Sequence, residues 1–150
     1  MEILKDAKFS HMAVVVKDIE ETLKEYCRLF QMEMPVIKWT GKPEDAEVQY
    51  RGEHTPAMAK QAFLQFGTLR VEFMEPDEND STWREYLEKH GEGFHHLAFD
   101  VQNMEEILEE LHKEGIDAVQ RGKYNTGQYA YIESEGKLRA MLELLESNQK

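Results

Sequence analysis

Apolar and polar positions along this chain change period in an order that occurs twice. Residues 9–16 are apolar and β-branched, which predicts a strand. Asp18 followed by Glu21 has capping-box spacing, with Asp in place of Ser or Thr, and starts a helix. Ile19, Leu23, Tyr26, Cys27 and Phe30 then recur at helical spacing, so one stripe of that helix is buried. Short apolar runs around 35–39, 61–66 and 69–75 predict three more strands. The order returns from residue 94. A strand is predicted over 94–101, and Asn103 with Glu106 caps a helix striped by Met104, Ile107, Leu108 and Leu111. Gly115 is its stop. Strands follow around 118–121, 128–132 and 140–145.

The two passages align residue by residue. Phe9 matches Phe94, His11 matches His96, Ala13 matches Ala98 and Val16 matches Val101, all at a spacing of 85. Glu72 matches Glu143 and Glu75 matches Glu146 at a spacing of 71, because the first copy has the longer middle loop. The chain therefore reads as one domain, 1–150, of two βαβββ modules at about 8–76 and 93–147. The fold class is α+β, with the two modules forming a curved mixed sheet around a shared cleft. In the link, 77–92, Ser81 caps a short helix with Trp83, Tyr86 and Leu87 on one side, and Gly91-Glu92-Gly93 makes a turn. Residues 41–59 are polar with two prolines, a candidate lid or pocket wall.

Alternation along the strands sorts the polar residues. His11 shares a face with Ala13 and Val15, and His96 with Ala98 and Asp100. His95 has the parity of Leu97 and Phe99, so it is expected on the helix-packing side, as a packing residue or a support to a ligand and not a ligand itself. Glu72 lies opposite in parity to Val71 and Phe73, and Glu143 opposite to Leu142 and Leu144. Each module thus offers one His and one Glu on the face away from its helix. Two imidazoles and two carboxylates form a borderline-hard donor set for one divalent Zn, Ni, Co, Mn or Fe ion. A lone His or Glu of this kind is usually structural; two repeat-related pairs favour a metal site. His54, His90 and His112 are expected at the surface and Cys27 in the core.

Composition narrows the partners. The chain has 150 residues, and at that length folding buries roughly 70% of the unfolded surface. Thirty acids against 18 Lys and Arg give a net charge of -12, which argues against nucleic acid and anionic membranes as partners. A single cysteine excludes an internal disulfide and a cysteine-based zinc site. The first residues lack a signal-peptide apolar run, and no stretch is long enough to span a membrane, so the expected location is the cytoplasm.

At these residues the chain resembles the vicinal oxygen chelate superfamily, which includes glyoxalase I, methylmalonyl-CoA epimerase, extradiol dioxygenases and bleomycin-resistance proteins. The likeness covers about 8–147. Its strongest segment, Leu87-Glu-Lys-His-Gly-Glu-Gly-Phe-His-His-Leu-Ala-Phe-Asp-Val101, is similar to the centre of the methylmalonyl-CoA epimerase-like and lactoylglutathione lyase-like branches. The resemblance implies His11, Glu72, His96 and Glu143 as metal ligands, the set the repeat already selects. It implies removal of a proton α to a carbonyl, with Glu143 as base and Glu72 as the second catalytic carboxylate. Epimerases often carry Gln where this chain has Glu72. Some place a second carboxylate where Gln61 stands, and Gln61 cannot take a proton.

The substrate is expected to be a small carbonyl compound, an acyl-CoA or a glutathione adduct, and the protein a homodimer. Candidate substrate contacts are Arg51, Gln61, Phe63, Arg121, Lys123 and Tyr129. Arg51, Lys60, Arg121 and Lys123 are the cations available to CoA phosphates. The alternatives are a sequestering protein of the bleomycin-resistance type, with a cleft lined by Trp39, Phe63, Phe66 and Tyr129, and an Fe(II) dioxygenase. The dioxygenase normally needs two His and one carboxylate, so the additional Glu disfavours it.

Overall fold

The computed structural model describes residues 2–148. In chain order the elements are β1 (Lys8–Val15), α1 (Ile19–Phe30), β2 (Lys38–Trp39), α2 (Pro43–Ala46), β3 (Gln49–Tyr50), β4 (Glu53–His54), β5 (Ala59–Phe66) and β6 (Leu69–Pro76). After α3 (Thr82–His90) come β7 (Gly93–Asp100), α4 (Met104–Lys113), β8 (Ala118–Tyr124), β9 (Gly127–Ile132), α5 (Glu135–Leu138) and β10 (Met141–Ser147). All ten strands join one curved sheet in the order β2-β5-β6-β1-β7-β10-β9-β8-β3-β4. β1 pairs antiparallel with β7 at the centre, while β6 runs parallel to β1 and β10 parallel to β7.

Alternation decides what each face does. Ala62, Leu64 and Phe73 pack under α1 against Ile19, Leu23 and Cys27. Ala130, Ile132, Leu142 and Leu144 pack under α4 against Met104 and Leu111. Burying each large apolar side chain contributes about 1.5–3 kcal/mol, so these two layers fix the helices on the convex face. The opposite parity, Arg70-Glu72-Met74 and Glu143-Leu145-Ser147, is left for the concave side.

Both long helices are held at their starts by the strand that also carries a candidate ligand. The Glu75 carboxylate accepts the Ile19 N–H at 3.2 Å, and Glu146 accepts the Met104 N–H at 3.0 Å. This gives the matched pair Glu75 and Glu146 a physical role. Asp18 also caps α1, accepting from the Glu21 N–H at 2.9 Å. The expected cap by Asn103 does not form: at φ 61° its backbone is left-handed, not the extended form that aims a side chain at the first turn, and Glu146 takes over.

The middle of the first module departs most from expectation. Only Lys38 and Trp39 of the expected 35–39 strand pair with β5. The segment beyond carries α2 and then β3, which crosses to the other module and pairs with β8 through Gln49–Arg121 and Tyr50–Gln120. Residues 40–59 therefore strap the two outer edges of the sheet together. No helix of the described residues is long and apolar enough to cross a membrane.

Candidate metal centre

His11 from β1, Glu72 from β6, His96 from β7 and Glu143 from β10 meet on the concave face of four adjacent strands. One donor atom from each lies within 4.8 Å of all the others. All four are buried; His96 is fully enclosed and the others are at most 5% exposed. His96 Nε2 lies 3.0 Å from Glu143 Oε2 and 3.6 Å from Glu72 Oε1. His11 Nε2 lies 3.5 Å from both carboxylates. Yet neither Nε2 atom, nor Glu143 Oε2, makes an aligned hydrogen bond. Buried polar atoms left unpaired are costly. Here they converge as ion-pair neighbours without aligned hydrogen bonds, and the four donor atoms could hold a divalent cation. The donor set therefore fits the metal that the sequence implies.

The other ring nitrogen of each histidine is held from the preceding residue. The β1–β7 ladder slips by one residue at Ser10 and again at His95. Such bulges re-aim a side chain. Ser10 Oγ sits 3.0 Å from His11 Nδ1, and His95 Nδ1 sits 2.7 Å from His96 Nδ1. The bulge also corrects the expected side for His95. Its ring packs against Tyr86 and Tyr131, at 5.5 and 5.4 Å, not beneath α4. Burial and the neighbouring His96 push the His95 pKa down to about 3, so its ring is neutral at neutral pH. A neutral His95 can accept a hydrogen bond from His96 Nδ1–H, which leaves His96 Nε2 as a lone-pair donor toward the centre. Replacing His95 by Phe is expected to weaken divalent-metal affinity about 10–100-fold, with partial recovery in His95→Gln. Competition against a chromogenic chelator measures this, and an unchanged affinity would contradict it.

Electrostatics prepare the same atoms. Burial works to lower the His11 pKa, but contacts with Glu143 and Glu72 outweigh it and raise the value to about 9. Burial works to raise the Glu143 pKa, but His96 and His11 outweigh it and bring the value down to about 2. The metal-free protein thus carries a protonated His11 beside an ionised Glu143. The stabilisation from His11 is full below its ordinary pKa of 6.5 and is lost as the pH rises toward 9. That from Glu143 is full above 4.5 and is lost as the pH falls toward 2. Ligation requires a neutral imidazole. Metal binding near neutral pH is therefore expected to release about one proton per site. Calorimetry in buffers of different ionisation enthalpy reads that number directly, and a zero slope would contradict it.

A cavity of about 410 Å³ adjoins the centre, lined by His11, Glu72 and Glu143. Gln61, Phe63, Lys123 and Tyr129, four of the six candidate substrate contacts, also line it. The Phe63 ring stands edge-on to His11 at 5.4 Å, and in the matching place Tyr131 stands against His96 at 5.0 Å. Thr40, Gly41, Ala46 and Val48 of the strap form one wall. Trp83 closes the inner side; its indole N–H donates to the Tyr131 hydroxyl at 2.9 Å.

Other residues singled out from the sequence lie elsewhere. Arg51 pairs with Glu85 at 3.0 Å and Glu133 at 3.2 Å, off the cavity wall. Arg121 pairs with Glu105 on α4. Lys60 pairs with Glu75 at 3.4 Å, and Lys123 with Glu47 at 2.5 Å. The four cations considered for CoA phosphates are thus each engaged by a carboxylate. Trp39 is exposed at the sheet edge under Lys60, and Phe66 has the convex parity, packing on Tyr26 and Phe30. Cys27 is buried under α1, while His54, His90 and His112 are exposed. Sequence reasoning passed over Arg70 and Tyr131. Both lie on the concave parity two residues from a residue it had selected, which was the available signal.

Comparison with known proteins agrees with the fold. Residues 10–131 match the model of the Glyoxalase/Bleomycin resistance protein/Dioxygenase superfamily. The uncharacterized protein YqjC of Bacillus subtilis (strain 168) is 35% identical over 88 residues, 57% of this chain and 63% of its own length. The match therefore spans under two thirds of that relative. The structure of the protein BH1468 from Bacillus halodurans C-125 aligns with a TM-score of 0.66 at 23% identity, over 97% of this chain and 98% of that one. Methylmalonyl-CoA epimerase from Mycobacterium tuberculosis aligns with a TM-score of 0.61 at 18% identity, over 93% of this chain and 87% of that one. With a family match over most of its length and one curved ten-stranded sheet among its described residues, this chain belongs to the Glyoxalase/Bleomycin resistance protein/Dioxygenase superfamily.

Proposed function

We propose that the protein is a divalent-metal-dependent lyase or isomerase that removes a proton α to a carbonyl. The observation that carries this reading is the set of four buried donors, with both imidazole Nε2 atoms unpaired, beside a cavity that two of the carboxylates line. His11, Glu72, His96 and Glu143 would hold the cation, whose contribution when bound is Lewis-acid stabilisation of enolate charge. Glu143 is the base in this reading: it is ionised, faces the cavity, and reaches it from the strand next to His96. Gln61 lines the cavity but cannot accept a proton, which leaves Glu143 to remove and return it, with Glu72 as the neighbouring carboxylate. Phe63, Trp83, Tyr129 and Tyr131 exclude water around the reacting carbon.

The structural neighbours support the chemistry, since they include methylmalonyl-CoA epimerases. The pairing of all four CoA-phosphate candidates favours a substrate whose recognised part is compact. The test is metal analysis of purified protein, followed by proton NMR of exchange into deuterated solvent. Methylmalonyl-CoA and the methylglyoxal–glutathione adduct serve as probes. Metal-dependent exchange at the α carbon is expected. No affinity for Co²⁺, Ni²⁺, Mn²⁺ or Zn²⁺ would overturn the proposal.

A further inference from the structure

Resting on that reading, we infer that Arg70 is the anion anchor of the cleft, and that the substrate is a small carbonyl compound carrying a carboxylate. Two Lys or Arg side chains line the cavity among the described residues, Arg70 and Lys123. Lys123 is occupied by Glu47 of the strap at 2.5 Å. Arg70 makes no ion pair among the described residues. Its guanidinium lies over the Phe63 ring, 4.0 Å from the centroid, and Phe63 in turn stands against His11. An Arg seated over an aromatic ring and outside any ion pair has forked N–H groups to offer a planar oxyanion.

The repeat marks the same position. Counted at the spacing that matches Glu72 to Glu143, the counterpart of Arg70 is Met141. The two ligand pairs obey the internal symmetry, and the charge beside them does not. The ends of the cleft differ accordingly. β6 runs parallel to β1 with Val71 opposite Met12 and Met74 opposite Val15. Met74 packs with Trp83 at the inner end, so Arg70 stands toward the other end. Ser10, Asp100 and the exposed Tyr124 line that end as well.

Arg70 and Glu72 are two residues apart on one face, roughly 7 Å along the strand. The guanidinium over Phe63, the register partner of Glu72, is therefore near enough to the centre for one small molecule to reach both. Charge decides between a carboxylate and a phosphate. Glu72 and Glu143 face the cation site and His11, which leaves Arg70 and Asp100 as the other charges of the lining besides the paired Lys123, and one guanidinium beside an acid suits a monoanion over a dianion.

The probe is levulinate, a ketone separated from its carboxylate by a short methylene spacer, compared with methyl levulinate. Both are titrated into the full chain, metal-free and metal-loaded, with the Arg70 Nε–H resonance followed by NMR. Levulinate is expected to shift that resonance and to bind at least about tenfold more tightly than its ester. Arg70→Gln is expected to abolish the preference, and Arg70→Lys to restore part of it. Divalent-metal affinity, read by chelator competition, should stay unchanged in Arg70→Gln. The inference is overturned by equal binding of acid and ester, by an acid preference that survives Arg70→Gln, or by no shift at Arg70 up to tens of millimolar. Loss of metal binding by the wild-type chain would sink the enolisation reading instead, and is scored separately.

Discussion

Replacing Glu143 by Gln is expected to slow α-proton exchange by about a hundred- to ten-thousand-fold, the range of a lost general base. The fold should persist, because the amide matches the carboxylate in shape and β10 is held by its ladders to β7 and β9. The informative comparison is Glu72→Gln. Both glutamates lie 3.5 Å from the His11 Nε2 atom and both line the cavity, so on that side distance ranks them equally. They differ in sequence context: Gln at the position of Glu72 occurs in the epimerases this chain resembles. Glu72→Gln is therefore expected to keep most of the exchange activity. NMR exchange rates at saturating metal measure both variants. A milder loss in Glu143→Gln than in Glu72→Gln would transfer the role of base to Glu72.

Replacing Trp83 by Ala is expected to cost about 3–5 kcal/mol of stability, lowering Tm by roughly 10 °C. The indole is 2% exposed and packs with Tyr129, Tyr131, Met74 and Val15, residues drawn from both modules. It also gives its N–H to the Tyr131 hydroxyl, which stands beside His96. Trp83→Phe separates the two contributions: it keeps most of the packing and loses the hydrogen bond. That variant is expected to recover more than half of the lost stability in chemical denaturation. Equal destabilisation by Ala and Phe would mean that the hydrogen bond, not the packing, is what α3 contributes to the cleft.

Particular residues show how far the sequence could be read. His11, Glu72, His96 and Glu143 were legible because strand parity and the internal repeat agree on them. The helix stripes were legible because α1 and α4 bury the positions the period selects. His95 defied parity because a bulge lies between it and His96, and a one-residue slip reverses the face of a side chain. Asn103 looked like a cap, but the acceptor comes from Glu146, 42 positions later. Arg51 and Arg121 looked available because their carboxylate partners, Glu85, Glu133 and Glu105, are brought in by tertiary folding. Arg70 is the converse, a charge that folding leaves unclaimed. Local pattern reports which face a side chain takes, while pairing over long separations decides whether its charge is spent.

The strap has a mechanical consequence. A curved sheet with two free edges can splay like a hand, widening its palm at little cost. Here β2 is hydrogen-bonded to one edge, β3 to the other, and the short stretch between them spans the gap. The edges are therefore tethered as the links of a clasp are, and widening the palm means undoing backbone bonds at Gln49 and Tyr50 or at Lys38 and Trp39. Those few amides form the hinge pin of the molecule. Their hydrogen-exchange rates set an upper limit on how often a guest wider than the resting cleft can enter.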